Sequence, residues 1–175
     1  MHTLLRSLLG GDRRSIAESN HAAALVLAQP ELIAVLFQGL DSTDPVLRMR
    51  CSDAIEKVTA RRPGLLAPYK RALIQRYSKI EQQEVRWHVA QLLARLPLTT
   101  RETVTVVKLL RSFADDRSSI VRTMTMQALT DIALRSPRLM PEITGHIRRL
   151  SATGSPAMKA RGKKLLRALA EAQDG

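Results

Sequence analysis

Apolar residues recur along this chain at helical spacing, and the helical pattern itself repeats. In the segment running from Leu47 to Val58 (LRMRCSDAIEKV), positions one, five, eight, nine and twelve are apolar or small, and these steps fall on one face of a 3.6-residue helix. The same pattern starts again at Val85 (VRWHVAQLLARL), at Val121 (VRTMTMQALTDI) and at Met158 (MKARGKKLLRAL), at offsets of 38, 36 and 37 residues. The fifth position reads Cys51, Val89, Thr125 and Gly162, of which the last two fit least well. A constant period of this length built from helices predicts an all-α protein, a right-handed α-solenoid of stacked antiparallel helix pairs with about four repeats.

Helices of a second type fall between these segments. Pro63 and Pro137 each stand 16 residues after the first position of a repeat and precede amphipathic stretches, Leu65, Leu66, Tyr69, Leu73 and Leu139, Met140, Ile143, Ile147. Val104, Val107 and Leu110 fill that place in the middle repeat, and Pro30 heads another stretch with Leu32, Ile33, Leu36, Phe37 and Leu40. Asp44-Pro45 and Ser155-Pro156 each supply an N-cap followed by proline at the first helical position. Ser78 with Glu81 and Thr99 with Glu102 have capping-box spacing. Residues 1–43 fit the period poorly, although Ile16, Ala23, Ala24 and Leu27 give a helical face; they are expected to cap a continuous repeat domain over 44–175. Gly10-Gly11 before Asp12 reads as a flexible entry to the first full helix.

Residues 44–170 resemble the HEAT-repeat family, in particular small bacterial HEAT-like proteins. The resemblance rests on Val85, Arg86, Leu92, Leu93, Leu96 and on Val121, Arg122, Ala128, Leu129, Ile132. It implies that the helix carrying each valine–arginine pair is the second of its repeat and lines a concave surface. It also implies a ladder in which an Asp six residues earlier meets the basic residue of position two. Asp116 and Arg122 fit; the places before Arg48, Arg86 and Lys159 hold Ser42, Ile80 and Thr153.

Composition narrows the chemistry. No apolar run is long enough to span a membrane, and the apolar stretch at the N-terminus is too short for a secretory signal, so a cytoplasmic protein is expected. The four histidines, at 2, 21, 88 and 146, are far apart, and the single Cys51 lies on the core face of its helix; neither a metal site nor a disulfide framework is expected. With no glycine-rich phosphate loop, no G-x-S-x-G and no paired acid–base set, we expect a non-enzyme without cofactors.

The surface is the informative part. The chain carries 28 Lys+Arg against 16 Asp+Glu, a net +12, and the excess belongs to the repeats: residues 1–44 hold three basic and five acidic side chains. The last repeat contributes Lys159, Arg161, Lys163, Lys164 and Arg167, with no acid between Glu142 and Glu171. Helical phase turns positions three, six and ten away from the apolar stripe. Position three holds Met49 and Trp87, and position six holds Met126 and Lys163; position four adds Arg50, His88 and Arg161 on the flank. Met49, Arg50, Trp87, His88, Met126, Arg161, Lys163, Lys164 and Arg167 are therefore the candidate partner-binding residues, and Arg48, Arg86, Asp116, Arg122 and Lys159 the candidate ladder. The expected function is a protein-interaction scaffold whose concave face takes an acidic or mixed protein surface. Nucleic-acid binding through the basic residues is the alternative, although only five residues are aromatic.

Overall fold

The computed structural model of the chain describes residues 1–9 and 17–174. Gly10-Gly11 and Ile16 lie outside the described residues. Within them, ten α-helices account for the fold and there is no strand. They are α1 (Thr3–Ser7), α2 (Ala17–Ala28), α3 (Ile33–Gly39), α4 (Pro45–Arg61), α5 (Lys70–Gln75), α6 (Gln83–Arg95), α7 (Thr100–Phe113), α8 (Ser119–Arg135), α9 (Met140–Thr153) and α10 (Pro156–Asp174). They form two compact units, Met1–Pro97 and Leu98–Gly175.

The helix starts follow local hydrogen bonding. Asp44 Oδ1 accepts from Val46 N at 2.8 Å and caps α4, whose first residue is Pro45. Thr99 and Glu102 close a full capping box on α7: Thr99 N donates to Glu102 Oε2 at 2.8 Å, and Glu102 N donates to Thr99 Oγ1 at 3.3 Å. Ser155 Oγ accepts from Met158 N at 3.4 Å at the head of α10. The expected box at Ser78 does not form. Ser78 is buried in a 3-10 turn and its hydroxyl donates back to Ile74 O at 2.7 Å, while α6 begins only at Gln83. Pro63 likewise opens a seven-residue 3-10 segment that holds Pro68, and α5 starts after it. Proline lacks the N–H that an α-helical turn needs.

In the first unit α4 is the centre: α2, α3 and α6 all pack on it, and α5 packs on α6. In the second, α8 is packed by α7, α9 and α10, and α9 and α10 form a hairpin through Gly154-Ser155. Positions one, five, eight and twelve of every repeat segment are buried, from Leu47, Cys51, Ala54 and Val58 on α4 to Met158, Gly162, Leu165 and Leu169 on α10. That is the stripe expected from the period.

Two glycines mark where these helices approach closely. A Cβ on Gly39 would lie 2.2 Å from Cys51 Sγ and 3.0 Å from Leu5 Cδ2, so α3 rests directly on α4 there. A Cβ on Gly162 would lie 1.8 Å from Ser151 Oγ, where α10 meets α9. The weak fit of Gly162 to the apolar pattern thus has a steric cause. Because the Cys51 side chain is short and enclosed, Gly39→Ala is expected to lower stability by about 1–3 kcal/mol. Gly64→Ala, whose added methyl would meet nothing within 4 Å, is expected to change it by about 0.5 kcal/mol or less; urea midpoints at unchanged slope distinguish the two.

Candidate partner-binding surface

The central helices are enclosed on more sides than one amphipathic stripe suggests. Positions six and ten, expected to face solvent, are buried in the inner repeats: Ser52, Ala90 and Met126 at six, and Ala94 and Thr130 at ten. Neighbouring helices supply the cover. A Cβ on Gly162 of α10 would come within 3.1 Å of Met126 Cε on α8. Met126 is therefore a packing residue and not a contact for a partner. In the first unit the open positions lie one step further round, at three, seven and eleven: Met49 and Lys57 on α4 and Trp87, Gln91 and Arg95 on α6 are half-buried, with Asp53, between the first two, buried. In the second unit Gln127 and Asp131 of α8 are half-buried and Thr123 is buried. Met49 and Trp87 stay on the surface, as expected, with part of each side chain covered.

Position four turns inward. Arg50 is 2% exposed, and its Nη1 donates at 2.8 Å to Leu8 O, the carbonyl that ends α1. A buried guanidinium needs such acceptors, so Arg50 ties α1 to α4 and is removed from the partner-binding set. His88 is also buried, with its Nε2 3.8 Å from Asp53 Oδ1, and it too leaves the set.

Asp53 is the hub of a polar cluster joining three helices. Its Oδ2 accepts from Ser19 Oγ on α2 and from Lys57 Nζ one turn along α4, and Lys57 also donates to Asn20 Oδ1 at 2.5 Å. Alongside, Arg95 forms an ion pair with Glu56 and donates to Glu56 O at 3.0 Å and to Thr59 Oγ1 at 3.3 Å. Burial lowers the His88 pKa to about 4, a larger effect than the opposing pull of Asp53 and Glu56. Burial likewise lowers His146, helped by Arg111 and Arg149, and pushes the Cys51 thiol up to about 12. Ser19, Lys57 and Arg95 were not singled out from the sequence. Their signal was present, since Ser19–Asp53 and Glu56–Arg95 stand 34 and 39 residues apart, close to the repeat period.

Two of the four basic residues of position two take backbone partners. Arg48 Nη1 donates to Ser42 O at 2.7 Å and Arg86 Nε to Ile80 O at 3.1 Å, each reaching the carbonyl of the residue six positions earlier. Arg48 Nε also donates to Gln82 Oε1 at 2.9 Å, and Gln82 Nε2 to Pro45 O at 2.8 Å, which links α4 to the entry of α6. Asp116 Oδ1 accepts from Ser118 N at 2.8 Å, and Arg122 is half-buried with no hydrogen-bond partner for Nε. On α10, Arg161 is half-buried and donates to Gln127 Oε1 at 2.9 Å, whereas Lys159, Lys163, Lys164 and Arg167 are exposed.

Two grooves open between helices of the first unit. One, of about 190 Å³, is lined by Pro45, Val46 and Met49 of α4 with Gln82 and Glu84, one turn before Trp87. The other, of about 360 Å³, lies between α2 and α4 with Ala24, Leu27 and Ala60 among its apolar lining and Lys57 and Arg61 as its cations. Among the described residues no group of three or more His, Cys, Asp or Glu is gathered as metal ligands would be. Among the same residues no helix is long and apolar enough to cross a membrane. The sequence matches no family model and no curated protein.

The buried His88 sets a pH dependence. Unfolded histidine titrates near pH 6.5 and folded His88 near 4, so the unfolded chain takes up the proton first as pH falls. Stability is therefore expected to drop between about pH 6.5 and 4, by about 3 kcal/mol from this group, and to show no further loss from it below that. Denaturant titrations across this range should show the slope, and His88→Gln should flatten it.

Proposed function

We propose that the chain is a right-handed α-solenoid of stacked antiparallel HEAT-like helix pairs capped by residues 1–43, and that it works as a non-catalytic protein-interaction scaffold in the cytoplasm. The repeat period supports the solenoid: side-chain links Arg48–Gln82, Glu56–Arg95 and Gln127–Arg161 join segments 34 to 39 residues apart. Each repeat then buries its open flank only against the next.

The observation that carries the scaffold reading is the set of open positions in the first unit. Met49 and Trp87 stand half-exposed on helices that pack together, Met49 lining the 190 Å³ groove, and Lys57 and Arg95 are half-buried on the same two helices. Large amphipathic side chains at partly covered positions are the usual anchors of protein interfaces. Many of the chain's cations are engaged in holding loops and helices together, through Ser42 O, Ile80 O, Leu8 O, Asp53 and Glu56. The net charge of +12 remains after these contacts, and it supports a partner whose surface is acidic or mixed.

Trp87→Ala is expected to cost on the order of 1 kcal/mol of stability, since only part of the ring is covered. Leu93→Ala, fully buried on the same helix, should cost about 2–5 kcal/mol. In affinity capture from native extract, protein partners should survive nuclease treatment and be lost with Trp87→Ala. Loss on nuclease treatment would favour nucleic acid instead.

A further inference from the structure

The outer edge of α10 repeats the edge by which the inner helices hold their neighbours, with its chemistry changed. On α4 that edge is made of positions two, six, nine and thirteen: Arg48, Ser52, Ile55 and Thr59. The last three are buried, and α6 and its entry are fastened there by Arg48 to Gln82 and by Arg95 to Thr59 and Glu56. On α8 the same edge holds Met126, Leu129 and Ala133, all buried. On α10 it reads Lys159, Lys163, Leu166 and Ala170. Both lysines and Ala170 are exposed, and Leu166 is only half-covered, because α10 packs on α8 and α9 with its other faces. Position ten, where Glu56 of α4 pairs with Arg95, is here Arg167, whose Nε lies 3.7 Å from Glu171 Oε1 in an exposed pair.

We propose that this edge of α10 is a helix-docking surface for an acidic amphipathic helix of a partner protein, seated as α6 is seated on α4. The proposal rests on the reading of the chain as a scaffold for acidic surfaces and names the element that the partner supplies. Lys159, Lys163 and Arg167 follow one another at four-residue steps, about 6 Å of rise each, so acids at the same spacing on the incoming helix meet them in register. Leu166 and Ala170 take its apolar side chains; no acid lies in sequence between Glu142 and Glu171, and the one acid paired with this row is Glu171, exposed and 3.7 Å from Arg167. A second copy of the chain through the same edge would set lysine against lysine. A phosphate backbone would leave Leu166 unused, and α10 has no aromatic residue on which a base could stack.

The test uses a labelled peptide of about five helical turns with Glu at four-residue steps and Leu and Ala on the adjoining face. Its scrambled isomer and a single-stranded oligonucleotide of similar length are compared with it by fluorescence anisotropy at about 0.15 M salt. The patterned peptide is expected to bind at least about tenfold tighter than the scrambled one. The Lys163→Glu/Arg167→Glu double variant, whose side chains are exposed, should lose that binding with its melting temperature unchanged. Equal binding of the scrambled peptide would overturn the proposal by reducing the edge to unspecific charge. If binding is insensitive to the α10 variant but lost with Trp87→Ala, the scaffold reading stands and this edge is not the docking site. If only the oligonucleotide binds, both fall.

Discussion

The structure depends on contact between the flanks of helices that lie about one repeat apart in sequence. One neighbour does not enclose such a helix, as α4 shows with buried residues at nine of its positions, Arg50, Ser52, Asp53 and Thr59 among them. The remaining flank is closed only when α6 packs against it, and Arg95 bonded to Glu56 and Thr59 fixes that approach. The same relation holds α8 and α10, through Met126 against Gly162 and Gln127 with Arg161. Burial of this kind is long-range in sequence and short-range in space. Stability within each unit is therefore shared between the helices that pack together, and disturbing one flank weakens the helices on both sides of it.

The high positive charge takes on a different meaning in this light. A guanidinium carries several donors in a rigid fork, and the chain uses that fork where a neutral loop must be held. Arg48 and Arg86 grip loop carbonyls six residues earlier, and Arg50 ends α1 from below. These arginines serve as internal fastening through backbone carbonyls. Exposed cations occur on many elements, and α10 adds Lys159, Lys163, Lys164 and Arg167 along one helix.

The inner stripe of each repeat could be read directly from the sequence, because positions one, five, eight and twelve are set by helical geometry alone. The caps at Asp44, Thr99 and Ser155 were equally legible, since their hydrogen bonds span only two or three residues. What could not be read was anything decided by a second helix. Met126 and Ala90 look outward on a helical wheel and are buried because a distant segment lies over them. Arg50 and His88 look like surface charge and are enclosed for the same reason. The acceptors of Arg48 and Arg86 leave no trace in the sequence, since every residue has a carbonyl. Of the candidate contact residues, Met49, Trp87, Lys163, Lys164 and Arg167 keep surface exposure, and Arg161 stays half-exposed while tied to α8.

The chain's one thiol has a consequence of its own. Cys51 is fully buried against Gly39 at the α3–α4 crossing, and its proton is held up to a pKa of about 12. A thiolate is the reactive form, so the folded protein hides its only soft nucleophile both sterically and by protonation. Alkylation can proceed only while α3 stands away from α4, and the rate of labelling becomes a clock for that separation. The thiol packed against Gly39 is thus also a native reporter of opening.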